Sequence, residues 1–67
     1  MNNIRRFRES RGITLKQMAG AVGVGESSIR NWEHGRREPA TYVIVRIAQT
    51  YGVTTDYLLG LTDKECG

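Results

Sequence analysis

The sequence predicts an all-α fold, a compact bundle of five short helices. Three observations lead there. No segment alternates apolar and polar residues long enough to make a strand, whereas apolar residues recur at helical spacing along the chain. Glycines stand directly after these stripes, at positions 12, 23, 35, 52 and 60, where a left-handed residue ends a helix. At 7.5 kDa the 67 residues bury only about 61% of the unfolded chain's surface, near the low end for a domain that folds unaided. Such a chain needs local order from short, well-capped helices around one core.

The first helix is expected from about Asn3 to Arg11, with Ile4 and Phe7 inward and Gly12 ending it. The second begins at Thr14, where Thr14 and Gln17 have capping-box spacing and Ile13 and Met18 stand in staple positions. Leu15, Met18, Ala19 and Val22 form its apolar stripe. After Gly23-Val24-Gly25 the third helix is expected over Glu26–His34, with Gly25 as an N-cap that offers no side-chain oxygen. Ile29 and Trp32 lie on one side of it. Glu26, Ser27, Arg30, Asn31 and His34 lie on the other. The fourth helix covers Thr41–Tyr51, with Val43, Ile44, Ile47, Ala48 and Tyr51 on its buried face. Thr55 is expected to cap a last turn, Asp56–Leu59, and Asp56 suits that helix's dipole. Phe7, Met18, Val22, Ile29, Trp32, Ile44, Ile47 and Leu58 would then share one interior. The domain spans residues 1–61, leaving 62–67 as a flexible C-terminal tail.

Composition narrows the function classes. Ten Lys and Arg against seven Asp and Glu give a net charge of +3 and a pI near 9.5, a mild basic excess that suits a nucleic-acid partner and many other proteins besides. No apolar run approaches membrane length, and the N-terminus has no apolar h-region, so a cytoplasmic protein is expected. One cysteine, Cys66, allows no internal disulfide, and with His34 supplies too few ligands for a metal. Neither a nucleophile–base–orienter set nor a glycine-rich phosphate loop is visible, so no enzyme and no cofactor is expected.

The third helix carries the functional signal. A helix joined by a tight turn to the one before it, apolar behind and short and polar in front, is the arrangement of a helix-turn-helix. Such a face fits the DNA major groove and can present donors and acceptors to base edges. The plain alternative is a solvated face on an ordinary bundle.

The blocks Ile13-Thr14-x-x-x-Met18-Ala19-x-x-Val22-Gly23-Val24, Ser28-Ile29-x-x-Trp32-Glu33-x-Gly35-Arg36-Arg37-x-Pro39 and Tyr51-Gly52-Val53-Thr54-Thr55-Asp56-Tyr57-Leu58-Leu59-Gly60 resemble the phage repressor and Cro-type helix-turn-helix family. The resemblance covers roughly Ile4–Gly60. It implies a lambda-repressor-like five-helix domain that binds double-stranded DNA, usually as a homodimer on a two-fold symmetric operator. It also implies site roles: Glu26, Ser27, Arg30 and Asn31 toward bases, and Thr14, Lys16, Gln17, His34, Arg36 and Arg37 toward phosphates. Arg8 and Glu33 match a partly buried ion pair between the first and third helices. Tyr57, Leu61 and the Pro39 loop are the candidates for a dimer surface.

The chain departs from the pattern at three positions. Leu15 stands where the family commonly has a phosphate-clamping glutamine, Gly25 where it has a serine or threonine cap, and Glu26 where it has an adenine-reading glutamine.

Each residue also has a plainer reading. Glu26 complements the helix dipole, or accepts a hydrogen bond from a cytosine amine. Asn31 can bond adenine through both amide atoms. Arg30 can take a guanine, a phosphate or only water. Arg36 and Arg37 favour the third helix's C-terminal end, or meet phosphate. The readings that remain open are a transcriptional repressor, the antitoxin of a toxin–antitoxin pair with a protein partner, a helical interaction module without DNA, and the N-terminal domain of a longer sensor.

Overall fold

The structure is a computed structural model and describes residues 2–65; Cys66, the thiol weighed above, lies outside the described residues. Five helices follow one another: α1 (Ile4–Ser10), α2 (Leu15–Val22), α3 (Glu26–Glu33), α4 (Thr41–Tyr51) and α5 (Thr55–Leu58), with no strand among the described residues. α2 packs on α3 and α4, α1 reaches α3, and α5 closes against α4.

The core is the expected one, with additions. Phe7, Met18, Val22, Ile29, Trp32, Ile44, Ile47 and Leu58 are all buried together, joined by Ile4, Ala19, Val43, Ala48, Val53 and Tyr57. Leu15 and Tyr51 are only partly buried and pack on its edge. Phe7 anchors the aromatic contacts, with the Tyr51 and Tyr57 rings edge-on at 5.4 and 6.3 Å.

Two expectations need correction. Tyr57, a candidate for the dimer surface, is 2% exposed and belongs to the core. The cap of α5 is Thr54, not Thr55: the Thr54 hydroxyl accepts from the Tyr57 amide at 3.1 Å, which is the reach of an N-cap to its third helical residue. α5 accordingly starts and ends one residue earlier than expected.

The ends of the described chain are bonded to the bundle. The Asn3 amide and side chain donate to the carbonyls of Leu58 and Tyr57 at 2.9 and 2.8 Å, so the entry to α1 meets the last carbonyls of α5. Of the segment expected as a tail, Asp63 pairs with Arg6 at 3.0 Å and Glu65 with Arg11 at 2.6 Å. The Glu65 carbonyl also accepts from the Thr54 amide at 2.8 Å.

Candidate nucleic-acid interface

α2 opens with both halves of a capping box. The Thr14 hydroxyl accepts from the Gln17 amide at 3.0 Å, and the Gln17 side-chain oxygen accepts from the Thr14 amide at 2.9 Å. Thr14, Lys16 and Gln17 are all exposed there, at the positive end of the helix dipole. Gln17 retains its amide NH2 for an outside acceptor, because only its oxygen is spent on the cap. Leu15 turns inward against the core, so the usual clamp position serves packing instead.

α3 has two unlike sides. Ile29 and Trp32 are buried, while Glu26, Ser27 and Arg30 are exposed and Asn31 is half-buried. No hydrogen bond or ion pair among the described residues occupies the side chains of these four. Even Glu26 and Arg30, one turn apart, stay unpaired. Their polar atoms are therefore available to a ligand at no cost in internal bonds.

The far end of α3 is locked. Gly35 adopts φ +74°, and the amides of Gly35 and Arg36 donate to Trp32 and Asn31 carbonyls at 3.2 and 2.9 Å. This is the double bond of a Schellman stop, which a side chain with a Cβ would strain. It sends Arg36 and Arg37 off the end of α3 as exposed cations beside His34, also exposed.

Glu33, two residues before that glycine, points inward. Arg8 grips it with two bonds, Nε to Oε2 at 2.7 Å and a terminal nitrogen to Oε1 at 3.2 Å. The two side chains are 14% and 4% exposed, and the carboxylate holds the Arg8 guanidinium above its ordinary pKa, against the opposite pull of burial. The third arm of the guanidinium donates to the Ile13 carbonyl at 3.0 Å. One side chain thus joins the end of α3 to the residue before the α2 cap. That brings the Thr14 end of α2 and the His34–Arg37 end of α3 into one neighbourhood.

Sequence reasoning missed three bonds around this unit. Asn2 accepts from the Ile4 amide at 3.1 Å and donates to the Trp32 carbonyl at 3.1 Å, capping α1 while holding α3. Arg46 of α4 donates to the Val22 carbonyl at the end of α2, at 2.9 Å. The asparagine pair before α1 is a legible cap signal; nothing in the local pattern marks Arg46.

A family model described as Helix-turn-helix matches residues 4–58. The chain is 35% identical over 60 residues to the uncharacterized HTH-type transcriptional regulator YobD of Bacillus subtilis (strain 168), an alignment covering 90% of this chain and 54% of that protein. It is 33% identical to the HTH-type transcriptional regulator ImmR of the same strain, over 85% of this chain and 45% of ImmR. With the uncharacterized HTH-type transcriptional regulator y4dJ of Sinorhizobium fredii (strain NBRC 101917 / NGR234) it shares 29% identity, over 94% of this chain and 82% of y4dJ. The chain thus spans about half the length of the first two relatives. No solved structure matches it. The chain belongs to the helix-turn-helix family, of the phage repressor and Cro type that its motifs resemble.

Proposed function

We propose that this chain is a sequence-specific DNA-binding domain of a transcriptional regulator, acting in the cytoplasm as a repressor by covering a promoter. The observation that carries this reading is the outer face of α3, whose four polar side chains have no internal partner while its other end is gripped by Arg8. A rigid helix with unspent donors and acceptors is what direct readout requires. Glu26, Ser27, Arg30 and Asn31 face bases in this proposal, and Thr14, Lys16, Gln17, His34, Arg36 and Arg37 face phosphates. The names of YobD and ImmR as transcriptional regulators support it.

The proposal extends to a homodimer on a palindromic operator, with two copies of α3 in successive major grooves about 34 Å apart. The surface offered for it lies between α4 and α5, where Pro39, Thr41, Ile44, Val45, Thr55 and Leu59 line a hollow of about 190 Å³. Leu61, 73% exposed, adds apolar area outside the helices.

Selection of bound duplexes from a random DNA pool tests both parts. The expected result is enrichment of an inverted repeat whose affinity falls steeply as salt rises above about 50 mM. Absence of salt-sensitive binding to any duplex would falsify the DNA-binding reading. Enrichment of a single unrepeated half-site, with a monomer in sedimentation, would remove the dimer and leave the base reading.

A further inference from the structure

The two ends of α3 are held differently. Its C-terminal end has the Schellman stop, the Glu33–Arg8 grip and the Asn2 bond to Trp32. Its N-terminal end, where Glu26 and Ser27 sit, begins at Gly25, which makes no side-chain cap bond. The connection to α2 is Gly23-Val24-Gly25, and two glycines around one residue leave the backbone free to swing. Val24 packs on the core as one anchor. A second anchor comes from outside the motif.

α2 carries no basic side chain in its last turn. The amides of Gly23 and Val24 both turn back to the Ala19 carbonyl, at 2.8 and 3.1 Å, and end the helix there, so no amide of a further turn reaches the Val22 carbonyl. Arg46 supplies it from α4 at 2.9 Å, across 24 positions of sequence. Its guanidinium carbon lies 5.7 Å from the centre of the Tyr42 ring, one turn earlier on the same helix. A Cβ at Gly23, which sits at φ +81°, would come within 3.4 Å of the same guanidinium nitrogen. Cation, carbonyl and left-handed glycine fit closely at the start of the turn.

We infer that Arg46 is a positioning residue for base reading: by tying the end of α2 to α4 it fixes the angle at which the first turn of α3 meets a duplex. The inference rests on the DNA-reading proposal and adds a residue outside the recognised motif. Arg46 touches no base. It acts by restricting Gly23–Gly25, so its loss misaims Glu26 and Ser27 while the phosphate contacts at the other end of the motif stay as they are.

Three proteins decide it: the parent chain, Arg46→Met, which keeps the apolar stem, and Arg46→Lys, which keeps a donor. Each is titrated, well below its melting temperature, against a duplex enriched from a random pool by the parent and against a random-sequence duplex. Arg46→Met should lose about tenfold on the enriched duplex, with the random-duplex affinity and the salt slope nearly unchanged, and Arg46→Lys should recover most of the loss. Equal loss on both duplexes, or none, overturns the inference. A parent that enriches no sequence overturns the DNA reading, and the inference with it.

Amide exchange in the DNA-free proteins gives a second readout. Faster exchange at Gly23, Val24 and Ser28, whose amides are bonded around the turn, in Arg46→Met, with α1 and α5 unchanged, supports the tie. Uniform acceleration through the chain overturns it. If Arg46→Met does not fold, Arg46→Ala takes its place in both readouts, with the same expected losses and the same overturning results.

Discussion

Arg8 and Glu33 are two charges almost out of water, and each keeps the other tolerable. Taking one away leaves a buried charge without a counter-ion, which typically costs about 3–5 kcal/mol. Arg8→Ala and Glu33→Ala are each expected to destabilise by that amount in urea denaturation. Arg5→Ala, which breaks only the exposed pair with Glu9 at 3.3 Å, should stay within about 0.5 kcal/mol. Asn31 supplies the matching test of recognition. Asn31→Ala should lose about 1–3 kcal/mol on the true operator and little on random DNA; equal loss on both would mean that Asn31 meets backbone alone. At this scale the sequence was informative only with the family pattern beside it. Spacing gives Arg8 and Glu33 no place on an apolar face, and nothing in a single chain says that they face each other. Arg46 was not legible at all, because a partner 24 residues away leaves no local trace.

Helix boundaries were the most legible feature, since caps and glycine stops act through bonds a few residues long. The capping box at Thr14–Gln17 forms as its spacing predicts, and α4 begins and ends where expected. α1 is one residue shorter than expected at each end and α3 at its C-terminal end, whereas α5 is shifted as a whole. Thr54 and Thr55 are both competent caps, and the choice depends on which start buries Tyr57 and Leu58 together, a matter of tertiary packing. The same logic exposes an unspent reserve in α2. Gly20 lies inside the helix, exposed, and a Cβ there meets nothing within 4 Å. Gly20→Ala should therefore stabilise the domain by about 0.5–1 kcal/mol in thermal or denaturant unfolding. A destabilised Gly20→Ala would mean that the α2 surface is already in contact with something.

For the molecule as a whole, size and charge were legible and closure was not. The accessible surface is 4286 Å², against about 4,250 Å² expected from mass alone, so the chain reaches ordinary compactness with helices of 4 to 11 residues. The pairing of Arg6 and Arg11 with Asp63 and Glu65 could not be foreseen, because exposed charges at the end of a chain carry no periodic signal. Net charge acts at this scale too. Arg36→Ala should reduce the slope of log affinity against log salt by roughly one for every duplex, operator or random. An unchanged slope would take Arg36 off the phosphate path.

The lone tryptophan, Trp32, lies on the inner side of the very helix whose outer side is offered to a duplex. Its indole is therefore a built-in optical gauge of that helix's seating. Emission wavelength should hold steady while DNA arrives on the opposite side, and shift red only when the helix lifts off the interior.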